Sequence, residues 1–386
     1  MRVLHWFPNY RRGGGVANAV TGLARAQIEE GIDVGIAAVD EQVTPLYGSQ
    51  DVPEGVKLLT WEPAWSREIG RILIRKPSSQ SFADLRSWRP DVVHVHAEFS
   101  PDNLWTTRIF GCPLVLSFHG ALHPEVFRKS KRVAKQAYVQ VARQLLYQKV
   151  TCFHALSPAE AAHIEAVIPG RPTVVAPLGP AYDGGRTGKR GGCRKHGRGI
   201  DVLFVGRLDR YTKGLDLLVA AFAQAKEAAG DDIGSLVLVG PDWRGGRAEI
   251  ERQVTDLGLE DSVLLPGAVP GKDVNRFIAS SGLYVQLSRH DAFPLSVVDA
   301  LVAGLPAVIS SAVGTTSYRE ISSLSHVRVV SPNVEDAAVA MAGLATRYDE
   351  VLQHAHKAQE RVHEFFSWRR IARTLVNAYR MPAQVE

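Results

Sequence analysis

Two basic residues lie between a predicted strand and a predicted helix in the second half of the sequence. Arg207 follows the β-rich run 201–205, and Lys213 stands directly before Gly214, where a helix is predicted to begin. A diphosphate leaving group develops negative charge as the bond to it breaks, and two fixed cations beside a helix N-terminus would stabilise that charge. Arginine supplies a planar pair of donors and lysine a compact charge. The alternative interpretation is that both cations are solvated on a loop.

Two carboxylates follow a later strand signal. Asp291 lies just after the β-rich run 283–287, and Asp299 lies eight residues further on, inside the next predicted helix. The hydroxyls of a sugar or a ribose donate hydrogen bonds and need fixed acceptors, so these two groups are suited to hold the two ends of a nucleotide-sugar. The alternative is that Ser296 and Asp299 form a capping-box-like pair, in which Asp299 only caps its helix.

The first half of the chain offers a glycine run and a histidine at strand ends. Gly13, Gly14 and Gly15 follow the first predicted strand and open a helix, where backbone N–H groups favour an anion. His119 follows the run 114–118, so we expect it at the carboxyl edge of a parallel sheet, donating to a phosphate or to a reacting sugar. A flexible turn and a structural histidine are the respective alternatives.

A metal site is weakly indicated. His94 and His96 share one face of a predicted strand, but no third ligand stands at a suitable spacing in the sequence. We therefore expect no metal and no other cofactor, with a nucleotide-diphosphate sugar as co-substrate.

The elements that must position these residues alternate between strand and helix from the start of the chain to its end. Short β-rich runs at 2–7, 33–39, 91–96, 151–155 and 173–176 alternate with amphipathic segments, and the pattern restarts at residue 201. Such alternation favours parallel sheets with right-handed crossovers. The prediction is an α/β protein with two doubly wound, Rossmann-like halves.

A basic, glycine-rich segment separates the two halves. Residues 182–199 contain seven glycines and six basic residues against one acidic residue, which is typical of a linker that cannot bury a core. We expect an N-terminal domain at 1–181, this linker at 182–199, a C-terminal domain at 200–366 and a final helix at 367–386.

Composition and charge exclude several classes of protein. The net charge of +5 comes entirely from the linker, so a basic face for nucleic acid is not required. No run of about 18 apolar residues is present to cross a bilayer. The three cysteines form no Cys-x-x-Cys pair. We therefore expect a cytoplasmic protein without a nucleic-acid partner.

Taken together, these segments resemble glycosyltransferase family 4, the large retaining family with the GT-B fold. The resemblance rests on the glycine-rich first loop and on the following segments: Pro90-Asp-Val-Val-His-Val-His96, Phe118-His-Gly120, Gly206-Arg-Leu208 with Lys213-Gly214, residues 291–306 ending in Ala303-Gly-Leu-Pro306, and Phe366-Ser-Trp368. No two aspartates are two residues apart, so the Asp-x-Asp metal clamp of the other large glycosyltransferase architecture is missing.

The resemblance implies a role for each candidate residue. Arg207 and Lys213 would bind the donor diphosphate. Asp291 would contact the transferred sugar and Asp299 would hold the ribose, while His119 would lie near the anomeric centre. The remaining donor-binding positions would be Gly14, Gly15, Phe293, Pro294 and Leu295. The family's retaining step is front-face attack, in which a donor phosphate oxygen accepts the acceptor's proton.

The sequence departs from the family's usual pattern at the acidic pair. Asp291 and Asp299 stand where both positions are usually Glu, and Pro294 stands where Gly is common. Two alternatives to a glycosyltransferase remain: an enzyme of similar fold, either a nucleotide-sugar epimerase or a phosphorylase, and a module of the same fold that binds a sugar nucleotide without catalysis.

A basic stripe marks a helix predicted at 126–147. Arg128, Lys131, Arg132 and Lys135 fall at i, i+3, i+4 and i+7, with apolar residues among them. A basic helix over 128–149 can touch an anionic membrane, as an enzyme with a lipid-linked acceptor requires, although such a stripe is also typical of a solvated face. The expected partners are therefore a nucleotide-sugar donor and a hydroxyl acceptor, with peripheral contact at the inner membrane face as an additional hypothesis.

Overall fold

The computed structural model describes residues 1–40, 51–69, 72–96, 99–128, 132–181 and 199–381. Its strands are β1 (Arg2–Trp6), β2 (Asp33–Val39), β3 (Lys57–Trp61), β4 (Pro63–Ile69), β5 (Ile72–Pro77), β6 (Val92–His96), β7 (Leu114–Ser117), β8 (Val150–Ala155), β9 (Thr173–Val175), β10 (Ile200–Val205), β11 (Ile233–Val239), β12 (Val263–Gly267), β13 (Leu283–Gln286), β14 (Ala307–Ser310) and β15 (Val327–Val330).

Its α-helices are α1 (Gly15–Glu29), α2 (Ser79–Ser87), α3 (Thr106–Ile109), α4 (Pro124–Arg128), α5 (Arg132–Leu145), α6 (Pro158–Val167), α7 (Leu215–Ala229), α8 (Gly246–Asp256), α9 (Gly271–Ser280), α10 (Leu295–Val302), α11 (Arg319–Ser322), α12 (Val334–Thr346), α13 (Tyr348–Phe365) and α14 (Trp368–Tyr379). The chain divides into two compact units, one of residues 1–179 with 368–386 and the other of residues 180–367.

The first unit is built on a parallel sheet. Within the described residues its seven strands stand in the order β3-β2-β1-β6-β7-β8-β9, and β4 and β5 form a separate antiparallel hairpin. Successive residues of β1 face opposite sides: Val3 packs with α1 and α14, whereas Leu4 and Trp6 pack on the other face. Buried on both faces, these strands are almost continuously apolar, as parallel strands are. The histidines of β1, β6 and β8 are therefore conspicuous.

The last helix belongs to the first unit. The predicted helix is confirmed at Trp368–Tyr379, where it packs beside α1. A Cβ atom at Gly22 would lie 2.4 Å from the Trp368 ring, and one at Gly179 would lie 2.6 Å from it. Both glycines therefore make room for the indole, and Arg369 and Arg373 add ion pairs to Glu30 at the end of α1.

The second unit repeats the doubly wound plan. Its six described strands are parallel and stand in the order β12-β11-β10-β13-β14-β15. Helices α7 and α12 pack together over one face of this sheet, with Phe222 and Met341 in the shared core. The predicted α/β class with two doubly wound halves is thus confirmed.

The predicted basic helix and the linker are described only in part. The structure gives helices at 124–128 and 132–145, and residues 147–149 form a 3₁₀ turn rather than part of an α-helix. Lys131 and residues 182–198 lie outside the described residues. Of the described helices, none combines the length and apolar character that crossing a bilayer requires.

Candidate functional site

In the second sheet the strand order reverses between β10 and β13. The strand order runs outward in both directions from this pair, and in open α/β sheets ligands bind where the order reverses. The loop after β10 carries Arg207 and Lys213, and the loop after β13 carries Asp291. The sequence-predicted cations and the first carboxylate therefore stand on the two loops that flank this switch point.

Glycine is required where the first of these loops enters α7. Gly214 adopts a left-handed conformation with φ of +64°, and a Cβ there would lie 2.0 Å from the Leu287 carbonyl oxygen. The Thr212 carbonyl in turn accepts a hydrogen bond of 3.0 Å from the Arg289 amide, and Asp209 accepts one of 3.0 Å from Thr212. The two loops are thus held against each other through backbone contacts.

Lys213 and Asp291 form an ion pair. Their side chains are 17% and 15% exposed, so the pair is shielded without being sealed from ligands. The backbone of Asp291 is fixed as well, because its carbonyl accepts from Gly314 at 2.8 Å. The structure therefore brings together one cation and one carboxylate that are 78 positions apart in the chain.

Arg207 has different partners from Lys213. Its guanidinium lies 4.7 Å from the centre of the Trp243 ring and 3.5 Å from an Asp209 carboxylate oxygen. Its Nε atom is buried and has no hydrogen-bond partner among the described residues. A buried donor without a partner is costly, so this N–H is available to an anionic ligand.

An ion pair that the sequence analysis missed joins the same two loops. Arg289 donates two hydrogen bonds of 2.8 Å to the carboxylate of Asp216, in the first turn of α7, and a third of 2.8 Å to the Tyr211 carbonyl. The bonds to Asp216 raise the pKa of Arg289. The two partners are 73 positions apart, so the sequence around either residue does not indicate the other.

Asp299 does not cap its helix. The cap position of α10 is Pro294 and makes no side-chain bond, while Ser296 accepts from Tyr284 at 2.8 Å. The capping-pair alternative is therefore wrong. The buried carboxylate of Asp299 instead accepts a hydrogen bond of 2.8 Å from the Ala181 amide.

The segment between the two aspartates contributes backbone rather than side chains. Phe293 is buried, with its ring 6.5 Å from that of Tyr318 and 6.2 Å from that of Phe366. Pro294 precedes α10, whose first amide is that of Leu295. Amides of a first helical turn have no acceptor within the helix, so this turn can bind a negatively polarised atom.

The glycine run of the first unit opens α1 as predicted. Gly13 and Gly14 have φ values of +70° and +96°, which favour glycine, and Gly14 precedes the first helical residue. A Cβ at Gly15 would meet nothing within 4 Å, so that residue faces open space. The first turn of α1 contains no acidic side chain. The helix itself therefore offers no carboxylate to these amides.

His119 stands at the same edge of the first sheet, in a constrained turn. Its φ is +52°, uncommon for a residue with a side chain, and its Nε2 lies 3.0 Å from the Nδ1 of His96. Surrounding protein atoms desolvate the ring and lower the pKa of His119 to about 3, so it is neutral near pH 7. The structure thus gives His119 a partner behind it in the sheet.

Glu160 holds this turn, which the sequence did not reveal. Ser157 caps α6 by accepting a hydrogen bond of 3.2 Å from the Glu160 amide. The carboxylate of Glu160, however, accepts hydrogen bonds from the amides of Gly120 at 2.6 Å and Leu156 at 2.7 Å. Glu160 therefore fixes the backbone beside His119.

A group of three buried histidines is the metal-like arrangement among the described residues. One ring nitrogen from each of His5, His94 and His96 lies within 4.8 Å of the others. The sequence around His94 and His96 indicated no third ligand. His5 takes that place, because its strand β1 lies beside β6 in the sheet. Burial lowers the pKa of all three, that of His5 to about 4.

Comparison with known families covers both halves of the chain. The profile described as glycosyl transferases group 1 matches residues 190–367, and the profile described as glycosyltransferase family 4 matches residues 13–179. The chain is also 25% identical over 399 residues to the GDP-mannose:cellobiosyl-diphosphopolyprenol alpha-mannosyltransferase of Xanthomonas oryzae pv. oryzae. That alignment covers 98% of this chain and 96% of the relative.

Solved structures agree with these matches at the level of the fold. Sucrose-phosphate synthase from Thermosynechococcus elongatus superimposes with a TM-score of 0.72 at 19% identity, over 98% of each chain. Anabaena HepE, solved in complex with UDP and glucose, gives a TM-score of 0.71 at 17% identity, also over 98% of each chain. The fold is the predicted GT-B fold.

Proposed function

The chain belongs to glycosyltransferase family 4, the group 1 glycosyltransferases, and on that premise we propose that it moves a hexose or N-acetylhexosamine from a nucleotide-diphosphate sugar to a hydroxyl acceptor. It is a hexosyltransferase. The relative described above is named as a transferase, which favours transfer over epimerisation, phosphorolysis or binding without catalysis.

The observation that carries the proposal is the convergence at the switch point of the second sheet. Lys213 and Asp291 are paired there, and the unpartnered Nε of Arg207 lies on the same loop as Lys213. Cations at this place are suited to a diphosphate, and a carboxylate beside them is suited to sugar hydroxyls. We assign the donor to this edge, with Asp299 toward the ribose and the first turn of α10 beside the sugar.

The transfer step follows from a donor held in this way. The bond between the anomeric carbon and the diphosphate oxygen breaks, and the acceptor oxygen forms its bond on the same face, so that the configuration is retained. The acceptor's proton passes to a diphosphate oxygen. Arg207 and Lys213 would stabilise the charge on the leaving group without a metal.

Two donors are the first to be tested. The name of the Xanthomonas relative specifies GDP-mannose, and HepE was solved with UDP and glucose. For this chain we therefore propose a mannosyl or glucosyl donor. The acceptor would be a cell-envelope glycan or glycolipid, or a small-molecule aglycone.

The test is ligand binding in the presence of EDTA, with two loop variants. Thermal stabilisation by GDP, UDP, ADP, TDP and CDP would be measured for the wild type, Arg207→Ala and Arg210→Ala. Arg210 is a matched control, because it is a cation on the same loop with a side chain that is 40% exposed, and its partner, Glu249, is 3.9 Å away. A diphosphate at 100 times its Kd stabilises the folded protein by about 2.7 kcal/mol.

We expect one diphosphate to stabilise the wild type and Arg210→Ala but not Arg207→Ala. Release of that diphosphate from GDP-mannose or UDP-glucose would then identify the donor, and the one-bond coupling constant between C1 and H1 of the product in NMR would identify the stereochemistry. Equal stabilisation of all three proteins would refute the assignment of Arg207, and an inverted product would refute retention.

Helix α5 supports peripheral contact with an anionic membrane. Val133 is 78% exposed, and Val141 and Leu145, further along the helix, are each 46% exposed. Lys135 donates a hydrogen bond of 2.7 Å to the Val126 carbonyl. The support for membrane contact therefore comes from the exposed apolar side chains rather than from the full basic stripe. Co-sedimentation with vesicles containing phosphatidylglycerol, lost in Val133→Glu, tests it; equal sedimentation of both proteins would reject it.

A further inference from the structure

The interior of the first unit contains an unbroken series of hydrogen bonds that ends at His119. We call it the histidine chain, and its members are His119, His96, His5, Gln27, Tyr379, His94, Ser117, His154 and the carbonyl of Ala176. In that order the successive heavy-atom distances are 3.0, 2.9, 2.8, 3.0, 2.7, 2.7, 2.7 and 2.9 Å.

The sheet register brings these residues onto one face. His5 of β1 pairs with His94 of β6, and Ser117 of β7 pairs with His96 of β6 on one side and His154 of β8 on the other. Residues in register point the same way, here toward α1 and α14, which supply Gln27 and Tyr379. The histidine chain thus crosses four neighbouring strands under two helices.

Each imidazole in the histidine chain is neutral near pH 7. Burial lowers the pKa of His5 and His154 to about 4 and that of His119 to about 3, and it lowers the pKa of His94 and His96 as well. A neutral imidazole has one N–H donor and one acceptor nitrogen. Every link in the histidine chain therefore has a direction, and each direction determines the next.

The Ala176 carbonyl determines the direction at one end, because it can only accept. His154 must carry its proton on Nε2, and its Nδ1 must accept from the Ser117 hydroxyl. With its single proton used, Ser117 must accept from Nε2–H of His94. The Nδ1 of His94 is then an acceptor and must receive the hydroxyl proton of Tyr379.

The same logic continues to the edge of the sheet. Tyr379 has donated its proton, so its oxygen accepts from the amide nitrogen of Gln27, and the Gln27 oxygen accepts from Nε2–H of His5. Nδ1 of His5 then accepts from Nε2–H of His96, and Nδ1 of His96 accepts from Nε2–H of His119. The reverse direction would place the lone pair of His154 Nε2 against the lone pairs of the Ala176 oxygen.

We propose that the histidine chain fixes His119 as its Nε2–H tautomer and thereby leaves its Nδ1 as an acceptor for a hydroxyl of a bound sugar. Among the described residues, the ring of His119 has a hydrogen bond at Nε2, to His96, and none at Nδ1. An acceptor nitrogen cannot bind a phosphate oxygen, so His119 recognises a sugar hydroxyl rather than the diphosphate. Gln27, Ser117 and Tyr379 are positioning residues. The ligand part of this inference rests on the proposed function, whereas the tautomer does not.

The bonding of the ring nitrogens argues against a metal at His5, His94 and His96. A zinc ion holds imidazole nitrogens at about 2.0–2.1 Å, which in a tetrahedral site separates two nitrogens by about 3.4 Å. His5 Nδ1 and His96 Nε2 are 2.9 Å apart, and both nitrogens of His94 have hydroxyl partners at 2.7 Å. Protons, not an ion, occupy these positions.

The test is long-range ¹H–¹⁵N correlation NMR on the full-length protein labelled at histidine, without ligand. We expect all five histidines of the chain to be Nε2–H. Tyr379→Phe removes one hydroxyl in the middle of the series, so His94 and His154 should stay Nε2–H, anchored by Ala176. The amide of Gln27 can then turn over, and His119 should populate both tautomers.

Tyr138→Phe is the matched control, because it removes a hydroxyl of the same unit that bonds to the Ser100 carbonyl, at 3.0 Å, and takes no part in the histidine chain. It should leave every tautomer of the histidine chain unchanged. An Nδ1–H signal from any of the five histidines in the wild type, or an unchanged His119 in Tyr379→Phe, would overturn the proposal. Histidine signals of His5, His94 and His96 that shift on addition of zinc chloride would replace it with a metal site.

Binding then tests the hydroxyl contact separately. If half of the Tyr379→Phe molecules hold the wrong tautomer, the apparent Kd for the nucleotide-sugar should rise about twofold, while the Kd for the nucleoside diphosphate should not change. An equal effect on both ligands would refute the sugar-hydroxyl role of His119. Failure of the proposed function has a different result, because no nucleoside diphosphate would then bind even though the tautomers are as predicted.

Discussion

Acidification should unfold the first unit over a pH range that its buried histidines define. Burial lowers the pKa of His5 and of His154 from 6.5 to about 4. Between pH 4 and pH 6.5 both side chains are therefore neutral in the folded chain and protonated in the unfolded chain. Because the unfolded state binds more protons, stability is intact above pH 6.5 and is lost as the pH falls toward 4. Below about pH 4 the folded state also takes up these protons, and the loss levels off.

The expected loss is large compared with the stability of a domain. One histidine kept neutral costs about 1.4 kcal/mol per pH unit below 6.5. At pH 4.5, His5 and His154 alone therefore remove on the order of 5 kcal/mol, and His119 with the other members of the histidine chain adds to this. Typical domains have only about 5–15 kcal/mol in total. The first unit should thus unfold in mild acid.

Urea unfolding followed by tryptophan fluorescence at pH 7.5, 6.5, 5.5 and 4.5 measures this loss. Six of the seven tryptophans lie in the first unit, so the signal reports mainly on it. His154→Gln should reduce the slope of the free energy of unfolding against pH by about 1.4 kcal/mol per pH unit. His363→Gln, at an exposed position of α13, should not. A free energy of unfolding that stays constant from pH 7.5 to 5 would refute the reasoning.

Two substitutions of glycine test the packing that positions the sites. Gly214→Ala places a Cβ 2.0 Å from a backbone carbonyl oxygen at a φ of +64°, so it should lower the free energy of unfolding by more than about 2 kcal/mol. Gly230→Ala is the control, because its φ is +54° but no atom lies within 4 Å of the new Cβ. In urea unfolding the control should show the backbone strain alone. Alanine is more favourable than glycine inside a helix by about 1 kcal/mol. Gly343→Ala, where the new Cβ meets nothing within 4 Å, should therefore raise the Tm, whereas Gly22→Ala should lower it because the new Cβ displaces Trp368. Equal shifts within either pair would contradict the close approaches.

The sequence predicted the elements better than their partners. Alternation of apolar runs and turns predicted strands close to those observed, for example 201–205 against Ile200–Val205 and 33–39 against Asp33–Val39. It did not reveal β15, whose residues are half exposed, or the hairpin of β4 and β5, which contains polar and charged residues. Weakly buried strands have no continuous apolar run to mark them.

The local sequence pattern did not predict which side chains contact each other. The pairs Lys213–Asp291 and Arg289–Asp216 are joined across 78 and 73 positions by adjacent strand ends, and only the strand order of the second sheet determines that they meet. His94 lacked a third partner in the sequence because that partner, His5, comes from a neighbouring strand. The types of residue were informative, whereas the tertiary structure decided what each of them touches.

The ion pair at the second switch point does not prevent Lys213 or Asp291 from binding a ligand. An ammonium has three N–H donors, so Lys213 can keep its bond to Asp291 and still donate to a phosphate oxygen. A carboxylate accepts at about four positions, so Asp291 can likewise accept from a sugar hydroxyl without releasing the lysine. The pair therefore holds both groups in place before the ligand arrives, and a fixed geometry lowers the entropy lost on binding. The bidentate contact of Arg289 with Asp216 contributes to the same end, because it ties the loop that carries Asp291 to the helix that follows Lys213.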